Sequence, residues 1–96
     1  MRALASTPEM RAMAARVIWF EEAEKALADP VRFVAYALTY GAHEDTRILR
    51  SYYSDDELRE ALDQAPPGIF DPRSWAYWNN ILGRYPAPPL PQRTLR

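Results

Sequence analysis

The chain has no cysteine, a single histidine (His43) and only three glycines. Without cysteine there can be no disulfide, thiolate nucleophile or thiolate metal site. A lone histidine with no nucleophile elbow does not support a catalytic triad. The three glycines are isolated from one another, which excludes a glycine-rich phosphate-binding loop. We therefore expect a protein that is not an enzyme, with no catalytic residue, cofactor or metal ion.

Long apolar runs are also missing. No segment approaches the roughly 20 apolar residues of a membrane span. The first ten residues, MRALASTPEM, have no apolar core followed by a cleavage site, so they do not resemble a secretory signal. The formal net charge is −1, so no overall field draws the chain to nucleic acid or to an anionic membrane. The expected location is the cytoplasm, with no membrane partner.

Helix signals are what the sequence does contain. The stretch 30–40, PVRFVAYALTY, is apolar nearly all round, which is typical of a helix buried on most sides. Asp29 can cap its first turn, Pro30 suits the first helical position, and Gly41 can end it in a left-handed turn. We predict an all-α fold: a compact bundle of about five short helices around this central buried helix, followed by an extended Pro-rich tail.

Capping residues divide the rest of the chain. Thr7 precedes Pro8, Ser54 and Glu57 form a capping box, and Asp71 precedes a proline. Besides the central helix, these signals predict helices over 8–16, 44–53, 55–64 and 72–82. Residues 22–28 form either a second short helix or the end of one continuous helix that begins at residue 8. The predicted organisation is a frayed N-terminus (1–6), a single helical domain (7–83) and a Pro-rich extended tail (84–96).

Three residues are predicted to be structural. Asp45 falls within the apolar face of its helix, where a carboxylate is costly unless it lies at the helix N-terminus or meets an arginine or a tryptophan N–H. Trp75 and Trp78 can bury a large apolar area and are expected in the core.

DNA binding is suggested by two short adjacent helices, 44–53 and 55–64, which are reminiscent of a helix-turn-helix. However, only about one residue, Ser54, separates them, which is tighter than the usual turn. The second helix, DDELREALDQ, carries five acidic residues against one arginine and would repel phosphate. Nucleic acid is therefore not the expected partner, although Arg47, Arg50 and the tail arginines leave DNA-binding autoregulation of an operon as an alternative.

A protein partner is the favoured expectation. Exposed aromatic side chains are frequent hot spots of binding, acidic faces can cover basic clefts, and Pro-rich segments dock on their own domain or on a partner. A homo-oligomer held by exposed aromatics is a further alternative. The candidate partner-binding residues are Trp19, Tyr77, Asp55, Asp56, Glu60, Arg84, Tyr85, Pro88, Pro89 and Leu90.

Four stretches carry a family resemblance: Ile18-Trp19-Phe20, DPVRFVAYALTYG, YYSDDELREAL and APPGIFDPRSWAYWNNILGRYPAPPLP. Together they span most of residues 17–93 and resemble a family of small, uncharacterised bacterial helical proteins. Members are often encoded beside a nucleotidyltransferase-type toxin of the abortive-infection kind. The resemblance implies an antitoxin-like or accessory partner of such a toxin, and it brings no catalytic residues with it.

Overall fold

The computed structural model describes residues 1–92, which form six α-helices and no β-strand. The predicted all-α class is confirmed. Each helix begins and ends within one residue of its predicted position, and the last four residues of the predicted tail, 93–96, lie outside the described residues. The helices are α1 (Pro8–Val17), α2 (Ala23–Leu27), α3 (Pro30–Tyr40), α4 (His43–Tyr52), α5 (Asp55–Gln64) and α6 (Pro72–Ile81).

A turn separates α1 from α2, so the alternative of one continuous helix to residue 28 is wrong. The helix ends at Ile18, whose amide donates to the carbonyl of Ala14. Ile18 is fully buried, whereas the next two side chains, Trp19 and Phe20, face solvent. The chain leaves the helix here with one apolar residue turned into the core and the next two turned out.

Side-chain caps open the helices where the sequence places them. The hydroxyl of Ser54 accepts from the Glu57 amide at 3.2 Å, and the Glu57 carboxylate accepts from the Ser54 amide at 3.0 Å. These two bonds complete the predicted capping box. Three further side chains, those of Thr7, Asp29 and Asp71, cap α1, α3 and α6.

Helix α3 contacts each of the other five helices. Its side chains Phe33, Val34, Ala35, Ala37 and Leu38 are buried, while Tyr40 at its C-terminal end is exposed. The small residues Ala35 and Ala37 let neighbouring helices approach closely, because they add little volume at the contact. Helix α3 therefore supplies five side chains to the core.

Gly41 corrects a prediction about the end of α3. Its φ and ψ are −71° and 155°, which is extended backbone and not the left-handed turn expected there. A glycine is needed for a different reason: a Cβ at this position would lie 2.4 Å from the Ala37 carbonyl oxygen. Left-handed backbone occurs instead at Gly83, φ +85°, just after α6.

The N-terminal stretch 1–6 has no helix or strand, but it is docked rather than frayed. The Arg2 guanidinium donates to the Glu57 carboxylate at 2.8 Å, and the Tyr53 hydroxyl donates to the Arg2 carbonyl at 2.7 Å. The bond from Arg2, together with the Ser54 amide, lowers the pKa of Glu57 to about 2. Burial raises the pKa of Tyr53 to about 12. Glu57 and Tyr53 lie more than fifty residues from Arg2 in the sequence, so a local sequence pattern cannot predict these bonds.

The described helices are all short. None of those within residues 1–92 combines the length and the apolar character that crossing a bilayer requires.

Candidate interaction surface

Four aromatic side chains follow one another across one face of the molecule: Trp19, Phe20, Tyr36 and Tyr40. We call them the aromatic surface. Successive ring centroids lie 5.7, 5.9 and 6.0 Å apart, which is the range of favourable aromatic pairs. Trp19 is 78 % exposed, Tyr40 63 % and Phe20 51 %. Large apolar side chains are seldom left this exposed together unless a partner covers them.

Rigid elements hold these rings in place. Tyr36 and Tyr40 are one helical turn apart on α3, so both project from its outward side. Trp19 and Phe20 lie in the turn after α1, which is anchored by the buried side chains of Val17 and Ile18. The backbone under the surface is therefore fixed by core packing, which lowers the ordering cost of binding.

The aromatic surface encloses a groove of about 330 Å³. Its lining consists of the four aromatic residues together with Arg16 and Val17. Arg16 is thus the one charged side chain among the lining residues. The groove is within the size range of sites that take a small ligand or a short segment of another protein.

Arg16 lines this groove and Arg32 lies over the rings of Phe20 and Tyr36, and each of these arginines is paired with a carboxylate. Arg16 reaches Asp45 at 2.5 Å, and Arg32 reaches Glu21 at 2.6 Å. The Arg32 guanidinium also lies over the ring of Tyr36, 5.3 Å from its centroid. The hydrogen bond from Arg32 lowers the pKa of Glu21, which keeps that carboxylate ionised.

The two members of each pair are unequally accessible. The Arg16 side chain is 55 % exposed and the Asp45 side chain 4 %; for Arg32 and Glu21 the values are 25 % and 12 %. A partner approaching the groove therefore meets the guanidinium groups first.

The groove offers the Trp19 indole N–H, which can only donate, and the Tyr40 hydroxyl, which can donate or accept. Within residues 1–92, the indole N–H of Trp19 and the hydroxyl of Tyr40 have no hydrogen-bond partner. By contrast, the indoles of Trp75 and Trp78 donate to carbonyl oxygens at 2.7 and 2.8 Å.

Only Trp19, among the predicted partner-binding residues, belongs to the aromatic surface. Tyr77 and Tyr85 come together in a different groove, which they share with Pro86 and which has no lining residue in common with the first. Both side chains are exposed, Tyr77 by 56 % and Tyr85 by 85 %.

The acidic residues of α5 already have basic partners within the chain. Asp55 lies 3.5 Å from Arg50, and Asp56 lies 2.5 Å from Arg59. Glu60 lies 3.4 Å from the N-terminal ammonium group. This face is less strongly acidic toward a partner than the sequence alone suggests.

The beginning of the tail packs against its own domain. Arg84 donates to Asp63 at 3.0 Å and to the Arg59 carbonyl at 3.3 Å, so it joins the tail to α5. The carbonyl of Pro88 accepts from the Trp75 indole N–H, and Leu90 packs half-buried against the core. Pro89, which lies between them, is exposed.

The residues predicted to be structural are all buried. The carboxylate of Asp45 accepts from the Ala42 amide at 2.9 Å as well as from Arg16, so it both caps α4 and holds an ion pair. Trp78 donates to the Leu38 carbonyl at the C-terminal end of α3, and Trp75 binds the tail.

A third groove, between α4 and α6, is basic. Arg47, Arg50 and His43 line it together with Tyr77, and Arg73 borders the adjoining hollow. Arg47 is paired with Glu44 at 2.5 Å on an exposed site, where such pairs contribute little.

Phe20, Tyr36 and Tyr40 were not among the predicted partner-binding residues. The apolar pattern of residues 30–40 predicts burial on most sides and includes Tyr40, because tyrosine counts as apolar in such patterns. The amphipathic character of tyrosine, which allows one end of the ring to stay in water, was the available signal.

Within the described part of the chain, no group of three or more histidine, aspartate or glutamate side chains lies close enough to hold a metal ion. No family model, no curated protein and no solved structure matches the chain.

Proposed function

We propose that this protein is a non-enzymatic binding module that presents its aromatic surface to another protein. The observation that carries the proposal is the continuous row of four aromatic rings, three of them more than half exposed, on a fixed backbone. Tryptophan and tyrosine are enriched in the small sets of residues that dominate protein–protein affinity.

The resemblance given above supports a more specific partner. It implies that a nucleotidyltransferase-type toxin is encoded beside this gene, and we propose that the protein is the antitoxin-like or accessory partner of that enzyme. The neighbouring genes provide the first check, because the absence of any such enzyme removes this part of the proposal.

The direct test is capture of the purified neighbouring nucleotidyltransferase by the immobilised protein. Wild type should retain the enzyme at micromolar concentration. The double variant Trp19→Ala/Tyr40→Ala should lose at least roughly tenfold in affinity, since truncating two hot-spot residues costs more than about 1.4 kcal/mol.

A matched control comes from the other exposed aromatic pair. Tyr77→Ala/Tyr85→Ala removes the same kind of side chain from a separate groove and should bind as wild type does. Equal loss in both double variants, or no capture by wild type, contradicts the proposal. Light scattering on the same samples tests whether the aromatic surface instead pairs two copies of this chain.

A second candidate function rests on the basic groove between α4 and α6. Arginines beside an exposed tyrosine are suited to nucleic acid, because cations contact phosphates and the ring can stack on a base. This would fit autoregulation of the operon. A mobility shift with the promoter fragment, weakened by salt and by Arg47→Ala/Arg50→Ala, would support it, and no shift at low salt would end it.

A further inference from the structure

The side chains that line the groove of the aromatic surface favour one kind of ligand. The inference of that ligand rests on the proposed function. Its walls are largely aromatic rings. Its polar groups include the Trp19 indole N–H, which can only donate, and the Tyr40 hydroxyl, which can donate or accept. A suitable ligand must therefore offer apolar faces together with unpaired acceptors.

We infer that the groove binds an extended proline-rich segment of another protein, flanked by an acidic residue. Proline has no N–H, and in polyproline geometry the backbone makes no internal hydrogen bonds, so such a segment displays carbonyl acceptors without matching donors. Its pyrrolidine rings are compact and apolar and pack well against aromatic walls. Since the geometry is already restricted, little entropy is lost on binding.

The chain itself shows this type of recognition once, within its own fold. The Trp75 indole donates to the carbonyl of Pro88 at 2.7 Å, and the neighbouring residues Ala87 and Leu90 pack against the core. The buried Trp75 thus binds a proline-rich segment through its indole N–H, and the corresponding N–H of Trp19 is free at the groove.

Charge decides between the two sources of such a segment. The proline-rich tail of a second copy carries arginines at 84, 93 and 96 and no acidic residue. The side chains of Arg16, which lines the groove, and of Arg32, which lies over Phe20 and Tyr36, are more exposed than the carboxylates paired with them. The tail of another copy offers no acidic residue to these guanidinium groups, whereas a segment flanked by aspartate or glutamate would gain charge-assisted hydrogen bonds from them.

The experiment uses the ¹⁵N-labelled full chain and two synthetic probes. One is a polyproline peptide with a glutamate at each end, and the other is the same peptide with lysines in their place. Each is titrated to about 1 mM at low salt, a range that detects a weak peptide complex. The three tryptophan indoles give separate N–H resonances, which makes the position of binding readable.

The glutamate-flanked peptide should shift the Trp19 indole resonance. The indoles of Trp75 and Trp78 should not move, since their N–H groups are already bonded to carbonyls. The lysine-flanked peptide should bind roughly threefold more weakly, as expected for an exposed ion pair. Tyr40→Ala should weaken binding, and Tyr77→Ala should leave it unchanged.

Failure of both peptides to move the Trp19 resonance would overturn this inference, as would tighter binding of the lysine-flanked peptide. A helical amphipathic peptide that moves the same resonance, with both proline peptides silent, would also overturn it. That last result would leave the proposed function standing, because the aromatic surface would still bind a protein segment. The proposed function fails separately, if the surface variants leave capture of the partner enzyme unchanged.

Discussion

Replacing Asp45 by alanine should lower the free energy of unfolding by a large amount for a domain of this size. The carboxylate is 3 % exposed and accepts from the Ala42 amide and from Arg16. Loss of a capping bond costs about 1 kcal/mol. Loss of a charge-assisted bond costs up to about 3 kcal/mol when it is buried, but Arg16 is 55 % exposed, so about 1 kcal/mol is more appropriate here. The expected sum is about 2 kcal/mol.

Related variants separate the two contributions. Asp45→Asn keeps an oxygen for the Ala42 amide but presents an NH2 group to Arg16, which cannot accept its hydrogen bond, so it loses the ion pair and should cost about 1 kcal/mol. Arg16→Met keeps the apolar stem and removes the guanidinium. A double-mutant cycle of Arg16→Met with Asp45→Asn should give a coupling of about 1 kcal/mol, because the two side chains interact directly.

The assay is urea unfolding followed by circular dichroism, with thermal melting as a second measure. For a domain of this length, about 2 kcal/mol corresponds to a fall of roughly 10 °C in Tm. A loss below about 0.5 kcal/mol for Asp45→Ala would refute the reasoning, since it would mean that the buried carboxylate contributes neither a cap nor an ion pair. Additive single effects would refute the ion-pair part alone.

Three further predictions concern the fold. Gly41→Ala should cost about 1–3 kcal/mol in urea unfolding, because its Cβ would lie 2.4 Å from a carbonyl oxygen, whereas Gly68→Ala, with open space around it, should cost only about 1 kcal/mol for its positive φ. Trp78→Phe should cost about 2 kcal/mol in the same assay, because a buried carbonyl at the end of α3 loses its donor. The pKa of Glu57 is depressed to about 2, so the stability it provides is fully present above the unfolded value of 4.5 and is lost as the pH falls toward 2. Urea midpoints measured across that range should fall less steeply in Glu57→Gln than in wild type, and parallel curves would contradict this.

The helices were predictable because their ends are determined by residues that are close to one another in the sequence. Ser54 with Glu57, and Asp29 or Asp71 before a proline, each satisfy backbone amides within three positions, so a single pass along the chain finds them. The end of α3 was harder. A glycine after an apolar helix suggests a left-handed residue, but Gly41 is extended, and a Cβ there would lie 2.4 Å from the Ala37 carbonyl oxygen in the last turn of α3 itself.

The candidate site was only partly predictable. Trp19 stood out because it sits in an apolar run without helical period. Tyr36 and Tyr40 did not, since periodicity assigns every apolar position of a central helix to the interior. The partners of Arg84 and of the N-terminal residue Arg2 lie some 20 to 55 positions away in the chain, and no local pattern encodes such distances.

The way the tail is seated has a practical consequence for genetics. A truncation after Arg84 would remove the Pro88 carbonyl that accepts from the Trp75 indole, and the side chains of Ala87 and Leu90 that pack against the core. It would therefore lower folding yield and increase proteolysis, in addition to removing any contact with a partner. A phenotype from such a deletion would therefore report on protein abundance first. Point changes at the exposed positions Tyr85 and Pro89 leave the seated residues in place and isolate the outward-facing side of the same segment.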